Sequence, residues 1–111
     1  MMYKNNVFLY RWDNRKGEFI IEEGELSSHG QSWYGTVYIK KETTRGRQSI
    51  DHSHYEVSMR EGIFYNNGLW LKERNDEKAK NLFIEEFTFK ITKFQKEINR
   101  LNKRIEALNN D

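Results

Sequence analysis

A chain of 111 residues with no cysteine, no proline and a formal charge of +2 has room for one core, and it excludes disulfides, zinc–thiolate centres and thiol nucleophiles. Charged residues make up 32 % of it and the mean hydropathy is −0.99, yet 14 % is aromatic; this is not a disordered composition but one that suits a thin aromatic core completed by self-association. The net charge is too small to argue for nucleic acid, and no apolar run reaches the roughly 20 residues that span a bilayer.

The first two thirds read as strands and turns. VFLYRW (7–12) alternates Val7 and Leu9 with Phe8, Tyr10 and Trp12, giving an aliphatic and an aromatic face. DNRKG (13–17) supplies turn residues and EFIIEEGEL (18–26) a returning strand. After the loop SSHGQS (27–32), WYGTVYIKK (33–41) sets Tyr34, Thr36 and Tyr38 opposite Gly35, Val37 and Ile39. ETTRGRQ (42–48) is a polar, basic loop, and SIDHSHYEV (49–57) a further strand. IFYNNGLWL (63–71) places Asn67-Gly68 between two apolar runs, the strongest hairpin signal in the chain.

From Asn75 the pattern changes. Asn75 is an N-cap residue, Asp76 and Glu77 suit the positive end of a helix dipole, and no glycine follows before the C-terminus. The apolar positions Ile84, Phe87, Ile91, Phe94, Ile98, Leu101, Ile105 and Leu108 are spaced alternately three and four apart. This heptad stripe has isoleucine at a and Phe or Leu at d. It predicts a helix over 76–108, about 50 Å long at 1.5 Å per residue, longer than a small sheet can cover. The fold class expected is therefore α+β, a single domain over 1–111: an antiparallel sheet of four or five strands in 1–74, then one long oligomerisation helix in 75–111. Ile91, Phe94, Ile98, Leu101, Ile105 and Leu108 are expected at the contact with a second copy. Parallel pairing is favoured by Ile at a with Leu at d, although the phenylalanines complicate it and the uncharged e positions leave orientation open.

Candidate chemistry is sparse. In DHSH (51–54) two histidines project to one strand face, but no third ligand is identifiable, and the pair reads as surface residues. Neither a nucleophile elbow nor a glycine-rich phosphate cradle is present, so no catalytic residue, metal or cofactor is expected. The basic residues are more informative. Lys90, Lys93, Lys96, Arg100, Lys103 and Arg104 face only Glu97 and Glu106 in the last part of the helix. Arg100 and Arg104 are four apart, a spacing at which two guanidinium groups can converge on phosphate; such cations also simply solvate a helix C-terminus. Lys40, Lys41, Arg45 and Arg47 form a second cluster beside Gly46, and Tyr34, Tyr38, Tyr55 and Trp70 are candidates for stacking a base.

This layout, strands running into LWLKERNDEKAKNLFIEEF and a charged helix with an Ile/Phe/Leu stripe, resembles small phage-encoded proteins, above all the first Thoeris anti-defence family. That family sequesters cyclic nucleotide immune signals in pockets between protomers. The resemblance implies a non-catalytic sponge in the cytoplasm, a homodimer or higher homo-oligomer, with Arg100 and Arg104 on phosphate and Asn99 and Lys103 beside them. From the residues themselves, Arg45 and Arg47 of the basic loop would add charge, and Tyr38 and Trp70 are among the aromatics that would stack the base. The alternatives are an interaction module that blocks a host defence enzyme, or a small nucleic-acid-binding protein. The first residues, MMYKNNVFLYRW, show no signal-peptide pattern.

Overall fold

The computed structural model describes the backbone of residues 5–41 and 51–110 and the side chains of 5–39 and 53–110. Strands β1 (Asn5–Asp13), β2 (Glu18–Ser28), β3 (Tyr34–Lys41), β4 (Asp51–Ser58) and β5 (Gly68–Leu71) precede one helix, α1 (Asp76–Asn109). The strands form an antiparallel sheet in the order β4-β3-β2-β1-β5, so the α+β expectation holds. The chain divides into two compact units, Met1–Ala79 and Lys80–Asp111.

Period-two alternation builds the core. Register sets Val7 opposite Gly24 and Gly24 opposite Ile39, Leu9 opposite Trp70, and Leu26 opposite Val37. Val7, Leu9, Val37, Ile39, Val57 and Trp70 are buried together, with Leu26 and Tyr55 packed against them. Burying each such side chain is worth about 1.5–3 kcal/mol. Two glycines let the sheet curl over this face. A Cβ on Gly24 would lie 2.7 Å from Val37 Cγ1, and one on Gly35 would lie 2.6 Å from the Ser27 carbonyl. The curl brings β4 and β5 close enough for side chains to join them. Trp70 Nε1 donates to the Ser58 carbonyl at 2.5 Å, the Tyr55 hydroxyl donates to the Asn66 carbonyl, and the Tyr65 hydroxyl donates to Glu56 at 2.8 Å. Arg11 lies against the Tyr55 ring and pairs with Glu22 at 2.6 Å.

Both tight turns follow from their residues, one of them shifted. At 13–17 the Asp13 carboxylate accepts from Arg15 and Lys16 N–H, and Gly17 supplies the positive φ of 62°. The second turn is centred on Asn66-Asn67 rather than Asn67-Gly68. Asn66 and Asn67 take φ of 54° and 60°, Tyr65 and Gly68 exchange both backbone hydrogen bonds, and Gly68 begins β5. A type I′ turn needs two left-handed residues, and asparagine tolerates that conformation, so the Asn pair takes both positions.

The first helical turn belongs to the sheet unit, which is why the division falls at Ala79 and not at residue 74. Tyr10, Leu69, Leu71 and Ala79 are buried on the face of the sheet opposite the core. The Tyr10 hydroxyl accepts from Asn75 N–H and donates to Asp76 Oδ1, both at 2.9 Å, while Asn75 Oδ1 caps Lys78 N–H at 3.0 Å. Burial raises the Tyr10 hydroxyl above its ordinary pKa of 10.0. The folded chain holds that proton more tightly than the unfolded chain, so this contribution is complete below pH 10 and is lost as pH rises beyond it. Tyr10→Phe removes the acceptor of Asn75 N–H and one of the donors to Asp76, and should cost about 1–3 kcal/mol. Urea titrations from pH 8 to 11 should show the gap between the two proteins narrowing at the alkaline end.

The 34 residues of α1 include the β-branched stretch TFKITK, which stays helical, with Thr92 Oγ1 donating to the Thr88 carbonyl at 3.1 Å. Among the described residues no helix is long and apolar enough to cross a membrane.

Candidate functional site

The heptad pattern of α1 leaves a stripe of large apolar side chains open. Phe83 is buried and Phe87 half-buried, but every described residue from 91 onward is exposed. Ile91, Phe94, Ile98, Leu101, Ile105 and Leu108 range from 46 to 74 % exposed. Six bulky apolar groups aligned on one side of a rod amount to more than scattered surface hydrophobes.

Along this stripe Arg104 holds a flanking g position, Arg100 position c, Asn99 position b and Lys103 position f. All four are exposed. Arg100 donates to Glu97 Oε2 at 3.4 Å, one turn back, and both side chains are more than half exposed. A solvated pair of this kind contributes a few tenths of a kcal/mol. It leaves Arg100 turned toward a carboxylate on its own helix, with donors to spare.

The remaining expected site residues divide three ways. Tyr38 is half-buried and meets His54 edge-on at 4.7 Å. Trp70 is not available to a ligand: it is 5 % exposed, and its indole N–H is used on Ser58. Stacking by Trp70 is therefore corrected to a core role, because the curled sheet covers the face that carries Leu9 and Trp70. Arg45 and Arg47, with the rest of the basic loop, lie outside the described residues, as do the side chains of Asp51 and His52. Among the described residues no three His, Cys, Asp or Glu side chains form a metal-binding group.

One surface was not foreseen. Trp33 is 63 % exposed and meets Tyr65 at 4.8 Å and Tyr34 at 5.3 Å, with Ile63 48 % exposed. His29 stands 5.3 Å from Tyr34, and its Nε2 shares a hydrogen bond with Thr36 Oγ1 at 2.7 Å. The hydrogen bond to Glu56 raises the pKa of Tyr65. These aromatics meet because Met59 N–H bonds the Trp33 carbonyl, a long-range contact with no local sequence signature.

A cleft of about 320 Å³ lies among Glu61, Leu71, Lys72, Glu73, Arg74, Asn75 and Lys78. Its charges are mixed, and Arg74 is already paired with Asp76 at 3.1 Å, so it is a poor anion site. No protein-family model matches the chain, and no curated protein or solved structure matches it.

Proposed function

We propose that the chain is a non-catalytic sponge: a cytoplasmic homo-oligomer of anti-defence type that binds a phosphate-bearing cyclic nucleotide between protomers and withholds it from its receptor. The observation that carries this reading is the open heptad stripe flanked by exposed cations. Association of copies along the stripe would bring Arg104 to the protomer boundary, where guanidinium can grip phosphate in a bidentate fork. Arg100 and Lys103 would add charge, and Tyr38 an aromatic face. Sequestration needs no bond-making, only slow release.

Calorimetry against cyclic dinucleotides, cyclic trinucleotides and cyclic ADP-ribose isomers tests this. One class should bind, and Arg100→Ala with Arg104→Ala should weaken it about a hundredfold, the effect of losing charge-assisted hydrogen bonds. No heat from any of them, at concentrations where the oligomer is intact, overturns the reading.

A second reading, an interaction module that covers a host protein, is favoured by the open Trp33–Tyr65–Ile63 surface, since exposed aromatics are typical interface anchors. It is distinguished by an absence of small-molecule affinity and by sensitivity to Trp33→Ala.

A further inference from the structure

We propose that two copies pair antiparallel through residues 91–108, with the two-fold axis passing between Asn99 and Arg100. This orientation deepens the self-association on which the proposed function rests, and it reverses the parallel preference suggested by Ile at a and Leu at d.

The argument begins with the flanks of the stripe. The g positions carry Lys90, Glu97 and Arg104, and the e positions carry Gln95, Asn102 and Asn109. In a parallel pair each g residue meets an e residue of the next heptad on the other chain. Lys90 would then face the partner's Gln95, Glu97 the partner's Asn102, and Arg104 the partner's Asn109, so no ion pair forms. In an antiparallel pair g meets g and e meets e. With Ile98 opposite the partner's Leu101, Glu97 meets the partner's Arg104 twice over, once on each side of the axis, and Gln95 meets the partner's Asn102. Every flank is then complementary.

Other antiparallel registers do worse. Aligning the whole stripe, Ile84 on the partner's Leu108, sets Lys90 against the partner's Arg104 and Glu97 against its own symmetry mate, all like charges. Sliding the other way, Ile84 on the partner's Leu101, restores opposite charges but leaves Ile105 and Leu108 uncovered. That slide also calls on Phe87, which is half-buried in its own chain. Only the 91–108 register uses the stretch in which every residue is exposed.

Packing agrees. A parallel pair stacks Phe94 on Phe94 at one d layer, whereas the antiparallel pair mixes a with d. The layers are then Ile91 with the partner's Leu108, Phe94 with the partner's Ile105, and Ile98 with the partner's Leu101. Phe94 then falls beside the smaller Ile105, the other layers pair Ile with Leu, and no layer holds two phenylalanines, the arrangement that fills layers evenly. Glu97 would lie between Arg100 of its own helix and the partner's Arg104, leaving guanidinium donors for a ligand.

The chain has no cysteine, so introduced thiols read the orientation without background. Antiparallel pairing sets the two copies of residue 108 about 25 Å apart along the axis, beyond the reach of a disulfide. Leu108→Cys alone and Ile91→Cys alone should therefore stay uncrosslinked in a glutathione redox buffer, while an equimolar mixture of the two should give one disulfide-linked species. Ready dimerisation of Leu108→Cys by itself overturns the antiparallel arrangement and leaves self-association standing. A monomeric mass for the natural sequence in light scattering overturns both. Charge reversal supplies a second reading. Arg104→Glu should weaken pairing about five- to tenfold, and adding Glu97→Arg should restore it; a parallel pair would respond to neither change.

Discussion

Replacing Ile98 and Leu101 together by aspartate should leave the chain monomeric at concentrations where the natural sequence associates, with its sheet unit still folded. Both residues are open in the single chain, at 56 and 46 %, so in a monomer the new carboxylates meet water and cost little beyond helix propensity. At a shared seam the same change removes four apolar side chains per dimer, each worth about 1.5–3 kcal/mol. It also asks four charges to leave water. A loss of about 10⁴-fold or more in association follows. Light scattering reports the mass, and near-ultraviolet circular dichroism reports the sheet unit, because Trp12, Trp33 and Trp70 all precede Ala79. An unchanged mass with an unchanged spectrum would show that the stripe meets nothing at this end.

The helix was the most legible element, because its signal is local. Cap, acidic first turn and heptad spacing all lie within consecutive residues, and the observed Asp76–Asn109 differs from the expected 76–108 by one position. The strands were legible as alternating segments, each displaced by no more than a few residues. What could not be read is what tertiary contact decides. Asn66-Asn67 and Asn67-Gly68 are both good turn pairs, and the choice falls to the register that puts Gly68 opposite Arg11 on β1. The sheet unit takes in Ala79 because Tyr10 reaches Asn75 and Asp76, more than sixty residues away in sequence.

The candidate site shows the same division. Exposure of Arg100, Lys103 and Arg104 follows from helical periodicity and needs no fold. The aromatics are different, since alternation assigns a face but not which face the curl covers. Trp70, offered to a ligand, is therefore buried, while Trp33, which opens a strand, stands in solvent. Gly24 and Gly35 determine this by letting the sheet close over Leu9 and Trp70, and a glycine's effect on curvature appears only once its cross-strand neighbours are known.

Trp70→Ala should accordingly be the most damaging single truncation in the sheet unit. It empties a core site lined by Leu9, Val37 and Val57, a change that costs about 3–5 kcal/mol. It also leaves the Ser58 carbonyl without the indole donor that ties β4 to β5. Against the 5–15 kcal/mol that holds a small domain together, this lowers the melting temperature by about 15–30 °C. Trp70→Phe keeps most of the volume and loses only the donor, so it should fall between, while Trp33→Ala, at a site 63 % exposed, should stay within about 0.5 kcal/mol of the natural sequence. Urea unfolding followed by far-ultraviolet circular dichroism ranks the three. A Trp70 that served a ligand and not the core would erase this order: binding would be lost at unchanged stability, and Trp70→Ala would unfold at the same urea concentration as Trp33→Ala.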